Sequence, residues 1–382
     1  MKPPDQMILL LVDDVPDNLQ AANAILKDEY KIRIATSGAK ALELAGMQPP
    51  PNLILLDVMM PEMDGYEVCA RLKSNPETRD IPVIFLTGLT EASDETRGFE
   101  VGAVDYIHKP FSPAVVKARV RTHLMLRQAR QQLAGQLKAL NDELEMARQI
   151  QLSILPAETP HMDGLDVSAR YVPMSSVAGD FYDFIRVDSK HLGILIADVS
   201  GHGLSAALIA SMLQVALTAQ HGRADDPGRV LSGLNQCLCG KFQTHFVTAA
   251  YIFVDLEKHT LHYAGAGHPP LIMWSQSAAA AKEICENGLV LGQFPEADYD
   301  AVKLQAGPGD CFLLYTDGIP EARNPSEQQF GSERLRAFLG SNSSLAGKAL
   351  VDKLLDEVWR WSNLGMGESQ TDDITLLAIH FT

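Results

Sequence analysis

The sequence has 382 residues, of which 46% are hydrophobic and 21% are charged. A single hydrophobic core stops growing near roughly 250–300 residues, so this length predicts two domains, and the composition is that of a chain that folds. The formal net charge of −16 repels nucleic-acid phosphates and anionic lipid. We therefore expect no nucleic-acid or membrane partner, and favour a protein or a bound cation instead.

The cysteines and the apolar segments predict a cytoplasmic protein. Five cysteines form no even disulfide framework, and the single Cys-x-Cys pair lacks a second pair of zinc ligands. The run Met1–Leu11 has two prolines and only a short apolar stretch, which indicates a buried strand rather than a signal peptide. Polar residues interrupt Leu204–Ala219, and it is shorter than the roughly 20 residues of a spanning helix. We expect a core helix there.

From Met7 to Arg121, apolar runs of strand length alternate with helical segments. This alternation predicts a doubly wound, flavodoxin-like parallel α/β sheet. Such sheets bind ligands outside the carboxyl ends of their strands, so we expect a site at that edge. The predicted strands are Ile8–Val12, Ile32–Ala35, Leu53–Leu56, Val83–Thr87 and Val104–Ile107.

The segment Pro113–Leu155 contains almost no glycine or proline, which predicts one long helix. From Leu126 its apolar residues recur at alternating spacings of four and three, the heptad pattern of a coiled coil. Arg130 and Gln151 occupy core positions of that pattern and weaken it. Pairing into a homodimer is still favoured over packing on one of the chain's own domains. The heptad residues are Leu133, Leu137, Leu140, Leu144, Ala147 and Ile154.

After Pro156 and Pro160, strands resume with helices between them and with less regular alternation. This order predicts an α+β layered β-sandwich. We place the domain boundaries at 1–125, 126–155 for the helical linker, and 156–382. The predicted strands are Val167–Tyr171, Phe181–Val187, Leu192–Asp198, Thr248–Asp255, Thr260–Ala264, Cys311–Tyr315 and Ile374–His380.

Carboxylates follow two strands of the first predicted sheet. Asp13 and Asp14 come after the first strand and Asp57 after the third, so all three should meet at one edge. Each alone could be a helix cap, but together they would repel without a cation, and oxygen ligands suit Mg²⁺. Such an ion would fit a site in which one carboxylate carries a phosphoryl group. Lys109 and the Thr87 hydroxyl would then hold the phosphoryl oxygens.

These residues, with the segment Leu56–Gly65 and the ending Lys109-Pro110-Phe111, resemble the receiver domains of two-component response regulators. The resemblance implies that a partner histidine kinase phosphorylates Asp57 and that Lys109 precedes a cis proline. It implies that Thr87 and Tyr106 form the switch pair. The Mg²⁺ ligands that it implies are Asp13, Asp14, Asp57 and the Met59 carbonyl.

Four acidic motifs stand at strand ends in the second domain, beside small residues that allow close approach to an ion. They indicate a pair of divalent cations bound by carboxylates. Two such cations about 3.5–4 Å apart can activate a water molecule to attack a phosphate. The sequence has no Cys-x5-Arg loop, Gly-x-Ser-x-Gly elbow or Walker lysine. The motifs are Ala178–Asp183 with Asp180, Ala197–Gly203 with Asp198, Tyr315–Gly318 with Asp317, and Thr371–Thr375 with Asp372 and Asp373.

With the segment Ala264–Pro270, these motifs resemble the SpoIIE-like branch of the metal-dependent (PPM) serine phosphatases, across Asp166–Thr382. The resemblance implies two Mn²⁺ or Mg²⁺ ions, with Asp198 bridging both and the Val199 carbonyl binding one. It implies that Asp317 and Asp372 complete the other ion site, and that Asp180 lies behind the ligands or binds weakly.

Three assignments stay open within this resemblance. Asp373 competes with Asp372 as the ligand. His202 is a candidate to protonate the leaving serine oxygen, because a histidine near neutral pKa suits a general acid, although a histidine in a glycine-rich turn can serve the loop alone. His268 is expected to be structural.

Together, these features predict a response regulator in which Asp57 controls a serine/threonine phosphatase through the Pro113–Leu155 helix. The resemblance implies a phosphoserine substrate on an anti-anti-sigma (STAS-type) protein. One alternative is an adaptor that binds a sigma-factor regulator without hydrolysis. Another is that the helix is only a dimer scaffold and Asp57 does not regulate. The sign of regulation, the kinase, the particular substrate and the choice between Mg²⁺ and Mn²⁺ do not follow from the sequence.

Overall fold

The computed structural model describes residues 7–88, 92–242, 244–345, 347–363, 370 and 372–382, and of residues 92–95 it describes the backbone. Thr371 of the fourth acidic motif lies outside the described residues. The chain divides into two compact units, Met1–Leu140 and Asn141–Thr382. The boundaries of the predicted linker stay a prediction, because one continuous helix, α5 (Pro113–Ile154), runs through both of them.

The first unit is a five-stranded parallel sheet with the order β2-β1-β3-β4-β5, which confirms the predicted doubly wound fold. Its hydrophobic side chains form one cluster on each face of the sheet. The strands are β1 (Ile8–Val12), β2 (Lys31–Ala35), β3 (Leu53–Asp57), β4 (Val83–Thr87) and β5 (Asp105–His108). The helices of this unit before α5 are α1 (Pro16–Leu26), α2 (Gly38–Ala45), α3 (Gly65–Ser74) and α4 (Ala92–Glu100).

Two residues after β3, Asp64 and Gly65, determine how α3 begins. Asp64 caps α3 by accepting a hydrogen bond from the Glu67 backbone N–H, at 2.8 Å. A Cβ on the next residue, Gly65, would lie 2.2 Å from the Asp57 carbonyl oxygen. The helix can therefore begin this close to the strand end only with glycine at that position.

Helix α5 confirms the predicted long helix almost to the residue. Its first turns pack Val116, Val120 and Leu124 into the core of the first unit. Further along, the heptad residues Leu133 and Leu137 are 57% and 53% exposed. The helix thus presents unpaired apolar side chains in its central turns, and its pairing into a coiled coil stays a prediction.

The second unit is a four-layer sandwich of two antiparallel sheets with helices on both outer faces, which confirms the predicted architecture. One sheet has the order β13-β10-β9-β8-β7, and its strands are β7 (Phe181–Arg186), β8 (His191–Val199), β9 (Val247–Asp255), β10 (Thr260–Ala266) and β13 (Val302–Gln305). The other has the order β12-β11-β14-β15-β6, with β6 (Leu165–Val172), β11 (Leu271–Ser275), β12 (Ala280–Ile284), β14 (Cys311–Tyr315) and β15 (Ile374–Phe381). The helices are α6 (Leu204–Thr218), α7 (Pro227–Leu238), α8 (Gly331–Ser341) and α9 (Gly347–Ser362).

Helix α6 is a core helix, as predicted for Leu204–Ala219, but on one of its faces only. One face is buried against β8, with Ala206, Ala210 and Leu213 in the core. The opposite face is apolar but open, since Leu208 and Val215 are exposed. The sequence did not separate the buried face from the exposed face, because hydrophobic periodicity gives no signal where both faces of a helix are apolar. In the described part of the chain, no helix combines the length and the apolar character needed to cross a bilayer.

Candidate functional site

At the carboxyl edge of the first sheet, three carboxylates converge as the sequence predicts. β1 and β3 are neighbours with Val12 opposite Leu56, so Asp13 and Asp57 leave the sheet side by side. One oxygen each of Asp13, Asp14 and Asp57 lies within 4.8 Å of the others. Three oxygen donors at this spacing fit a hard cation such as Mg²⁺.

A single ammonium group holds this acidic cluster together. Lys109 Nζ lies 2.6 Å from Asp13 Oδ2 and 2.9 Å from Asp57 Oδ1. Burial raises the pKa of Asp57 and repulsion from Asp13 and Asp14 adds to this, while the Lys109 hydrogen bond lowers it. An anionic Asp57 is therefore favoured by added positive charge at the cluster.

The other predicted receiver residues lie beside this edge. Thr87 is buried at the end of β4, and the Lys109–Pro110 bond is cis as predicted. Tyr106 on β5 packs between the rings of Phe99 and His108, with centroid distances of 6.1 and 5.1 Å. Met59 is 66% exposed on the loop after β3. The roles of Thr87, Tyr106 and the Met59 carbonyl stay predictions.

In the second unit, Asp180 joins the two sheets at the acidic motifs. It directly precedes β7 and is only 1% exposed. Its Oδ2 accepts hydrogen bonds from the Thr316 and Thr375 hydroxyls, at 2.8 and 2.7 Å. Thr316 directly follows β14 of the opposite sheet and precedes Asp317, and Thr375 lies in β15 of that sheet, two residues after Asp373. Asp180 is therefore a buried brace between the strands that carry the other carboxylates.

Asp198, Asp317 and Asp372 are partly buried and repel one another near this brace. Among the described residues their oxygens do not all come within 4.8 Å of one another, as those of Asp13, Asp14 and Asp57 do. Burial raises the pKa of Asp198 to about 7, and repulsion from Asp317 and Asp372 contributes. Burial also raises the pKa of Asp317 to about 6, again with repulsion from Asp372. Buried carboxylates that repel in this way fit the oxygen-ligand chemistry of divalent Mg²⁺ or Mn²⁺, which would relieve the repulsion.

The geometry separates Asp372 from Asp373. Asp373 is buried, and its two oxygens accept hydrogen bonds from the Met174 and Gly179 backbone N–H groups, both at 2.7 Å. Asp372 is half-buried and its Oδ1 accepts a bond from the adjacent Asp373 N–H. Asp373 thus fastens the segment before Asp180, which leaves Asp372 as the freer carboxylate for a metal.

Sequence reasoning missed a side chain that reaches this segment from the long helix. Gln151 is buried, and its Nε2 donates to the Ala178 carbonyl at 2.6 Å while its Oε1 accepts from the Ala178 N–H at 3.0 Å. In the heptad pattern Gln151 counted only as a polar interruption. Its polarity at an apolar position was the signal available, since a buried amide requires partners.

The histidines occupy distinct positions. His202 is exposed between Gly201 and Gly203, both of which have positive φ. His268 is buried, its Nδ1 is 2.9 Å from the Thr248 hydroxyl, and burial lowers its pKa to about 3. Thr248 is paired with Asp198 across β9 and β8.

His245 lies beside the loop of His202, and sequence reasoning did not single it out. Its Nε2 is 3.4 Å from the Ser205 hydroxyl, and its Cδ2 and Nε2 would lie 3.8 Å from a Cβ added at Gly201. No motif surrounds His245, so only the fold shows this neighbourhood.

Two protein families match the two units. The family described as response regulator receiver domain matches residues 9–121, and the family described as Stage II sporulation protein E (SpoIIE) matches residues 188–382. The second match covers half of the chain. This chain belongs to the SpoIIE family. Its C-terminal unit is a protein serine/threonine phosphatase domain, and its N-terminal unit is a receiver domain.

Known proteins resemble this SpoIIE-family chain over different spans. Phosphoserine phosphatase RsbU of Bacillus subtilis is 30% identical over 258 residues, 67% of this chain and 75% of RsbU. A probable cyclic di-GMP phosphodiesterase of Vibrio cholerae is 49% identical over 140 residues, but this chain covers only 31% of that protein. The SiaA-PP2C domain of Pseudomonas aeruginosa is 24% identical with a TM-score of 0.58, and the match covers 65% of this chain and 100% of that domain. The last match shows a shared PP2C fold.

Proposed function

We propose that this SpoIIE-family protein is a response regulator in which Asp57 phosphorylation controls metal-dependent hydrolysis of phosphoserine or phosphothreonine on a partner protein. The observation that carries the proposal is that Asp198, Asp317 and Asp372 lie partly buried in a phosphatase fold and repel one another, which a bound cation would relieve. The similarity to RsbU, a phosphoserine phosphatase, supports the substrate class.

Asp198 would bridge two Mn²⁺ or Mg²⁺ ions, with the Val199 carbonyl on one and Asp317 and Asp372 on the other. Bound ions of this kind lower the pKa of water and neutralise phosphate charge. The chain's own contribution is rigidity. Asp180 fixes both sheets through Thr316 and Thr375, so that the ligand carboxylates keep their spacing.

His202 is our candidate proton donor to the leaving serine oxygen. It is exposed in the loop that follows Asp198 and Val199, so a bulky protein substrate can reach it. His268 instead serves the fold. It is buried and neutral, and its bond to Thr248 braces the strand paired with Asp198.

The direct test uses the full chain with Mn²⁺ and a phosphoserine peptide. Asp198→Asn should abolish phosphate release, because it removes the charge that would bridge both ions. His202→Ala should lower kcat for the peptide more than for an aryl phosphate, whose leaving group needs no proton. Activity that survives Asp198→Asn would contradict the metal mechanism.

For regulation, we propose that a histidine kinase phosphorylates Asp57, with Mg²⁺ held by Asp13, Asp14 and the Met59 carbonyl, and that Thr87 and Tyr106 respond as the switch pair. The signal then passes along α5. Support comes from Gln151, through which the carboxyl end of α5 bonds directly to the segment before Asp180. A small phosphodonor should change the phosphatase rate in the wild type and leave an Asp57→Asn variant unchanged.

For its setting, we propose a cytoplasmic homodimer joined through α5, acting on an anti-anti-sigma (STAS) protein. The net charge of −16 and the exposed Leu133 and Leu137 support a protein partner and helix pairing respectively. Incubation with purified phosphorylated STAS proteins would identify the substrate by release of phosphate. The non-hydrolytic adaptor has no observation in its favour, because the chain retains the aspartates of all four acidic motifs.

A further inference from the structure

The first unit has a second concave site, at the edge of its sheet opposite Asp57. Pro82 and Val104, which directly precede β4 and β5, line it on one side, and Leu126 and Ala134 of α5 line it on the other. The strands are parallel, so this edge holds their amino ends and lies away from the phosphorylation site. The cavity has a volume of about 330 Å³. We call it the basal cleft.

The basal cleft is strongly cationic in a protein that is otherwise acidic. Lys73, Arg79, Arg127 and Arg130 line it, with Asp80 as the carboxylate among its lining residues. In the part of the chain that the structure describes, none of these four cations forms an ion pair. The excess of positive charge is therefore not neutralised from within, although the whole chain carries −16.

Two of these cations are held in fixed positions by neutral groups. Lys73 Nζ donates to the backbone carbonyls of Arg79 and Ile81, at 2.9 and 2.7 Å. Arg127 Nη1 donates to those of Pro51 and Asn52, at 2.9 and 2.6 Å. Carbonyl oxygens orient a cation without cancelling its charge. The two side chains thus form a preorganised positive site.

Burial disfavours the charged forms of the two held cations, and Asp80 offsets this only in part. Burial lowers the pKa of Lys73 and of Arg127, and Asp80 is the carboxylate that opposes the shift at both. The Arg127 Nε atom is buried and, among the described residues, has no hydrogen-bond partner. Partly desolvated cations gain from an anion placed between them, since their interaction is stronger there than in bulk water.

We propose that the basal cleft binds a small organic phosphate. Its phosphate group would lie among Lys73, Arg127 and the exposed Arg79 and Arg130, because a guanidinium can bind phosphate oxygens in pairs and an ammonium supplies a point charge. Its organic part would contact the apolar wall described above. The volume of the cleft is at the lower end of the range for small-molecule sites, which suits a small ligand.

Such a ligand would act on the long helix. One wall of the cleft belongs to the sheet edge and the other to α5 from His123 to Ala134, where the helix leaves the core. A bound anion would attach these helical turns to the receiver. This input is separate from Asp57 and goes beyond the function proposed above.

Calorimetry on the full chain in EDTA tests the proposal, with phenyl phosphate, AMP, inorganic phosphate and phenol as probes. EDTA removes bound metal ions, so that phosphate cannot bind through a metal at either acidic site. We expect one site per chain for the phosphate esters, weaker binding of inorganic phosphate, and no binding of phenol. Absence of ester binding at millimolar concentration would overturn the proposal, as would equal binding of phenol.

Two surface variants locate the site. The double variant Arg79→Ala with Arg130→Ala should weaken binding about tenfold or more, since each lost hydrogen bond was to a charged group. Asp80→Asn should strengthen it, because the competing carboxylate is removed. All three residues are exposed and make no side-chain hydrogen bonds within the described residues, so the fold should persist.

Two further variants are controls. Arg121→Ala removes an exposed arginine of the same helix outside the basal cleft and should leave affinity unchanged. Asp57→Asn should also bind normally, which separates the basal cleft from Lys109 at the phosphorylation site. Unchanged affinity in the double variant, or an affinity changed in either direction by Asp57→Asn, would place the anion elsewhere and overturn the assignment.

Discussion

The side-chain amide of Gln151 and the backbone amide of Ala178 form a closed pair of hydrogen bonds, 2.6 and 3.0 Å long. Gln151 lies in the last turn of α5, and Ala178 is followed by Gly179, whose N–H donates to Asp373. Ala178 and Gly179 thus connect the last turn of the helix to Asp373 through hydrogen bonds. A shift of the helix end would move that path directly.

Gln151→Leu should uncouple the phosphatase site from the helix. The change leaves the buried N–H and C=O of Ala178 without partners, at a cost of about 1–3 kcal/mol for each group. We expect weaker Mn²⁺ binding and a phosphatase rate that no longer responds to a small phosphodonor. Metal titration and rate assays measure both.

Gln149→Leu is the matched control for that change, because Gln149 is exposed on the same helix. It should retain wild-type metal affinity and response. A normal phosphodonor response in Gln151→Leu would show that the signal reaches the site by another route.

The stability of the metal-free protein should fall as pH rises through neutrality. Asp198 has a folded-state pKa of about 7, above the ordinary value of 3.8, so the folded state binds more protons than the unfolded state between those values. Stability therefore decreases with rising pH across that window. From about pH 6.5 to about pH 8 the Asp198 contribution is on the order of 1 kcal/mol. Urea unfolding in EDTA measures it.

Asp198→Asn isolates this contribution from that of the other titratable groups. The variant should lose the pH-dependent difference and be more stable than the wild type at the higher pH. Saturating Mn²⁺ should stabilise the wild type most at high pH, because ligands bind metal when deprotonated. Identical pH profiles for the two proteins in EDTA would refute the electrostatic account.

The two adjacent aspartates of the last acidic motif should respond differently to substitution. Asp372→Asn removes a proposed ligand and should abolish activity at all Mn²⁺ concentrations. Asp373→Asn replaces one of two acceptor oxygens with an amide, which should cost about 10–100-fold in metal affinity while excess Mn²⁺ restores part of the rate. Manganese titrations of phosphate release distinguish them. The reverse order of effects would exchange the two roles.

Sequence patterns predicted the receiver edge because it depends on strand order alone. Asp13 and Asp57 end strands that a doubly wound sheet makes neighbours. The brace at Asp180 could not be predicted in this way, since its partners Thr316 and Thr375 lie 136 and 195 residues away on another sheet. Such contacts require the packing angle of two layers, which no local pattern encodes.

Three strands of the phosphatase domain escaped prediction for local reasons. β12 (Ala280–Ile284) contains alanine, lysine and glutamate, which disfavour strands, and β13 (Val302–Gln305) is a short edge strand. β11 (Leu271–Ser275) begins directly after a Pro-Pro pair. Pairing with neighbours determines these strands more than their own residues do.

The exposed heptad turns of α5 lead to a prediction about assembly. Leu137 is 53% exposed, and in a paired helix its side chain would be buried against a partner. Leu137→Glu should therefore shift the protein from dimer to monomer, as measured by light scattering after gel filtration. Gln136→Glu introduces the same charge on the adjacent position outside the heptad seam and should remain dimeric. A dimer that persists in Leu137→Glu would mean that the helix does not carry the interface.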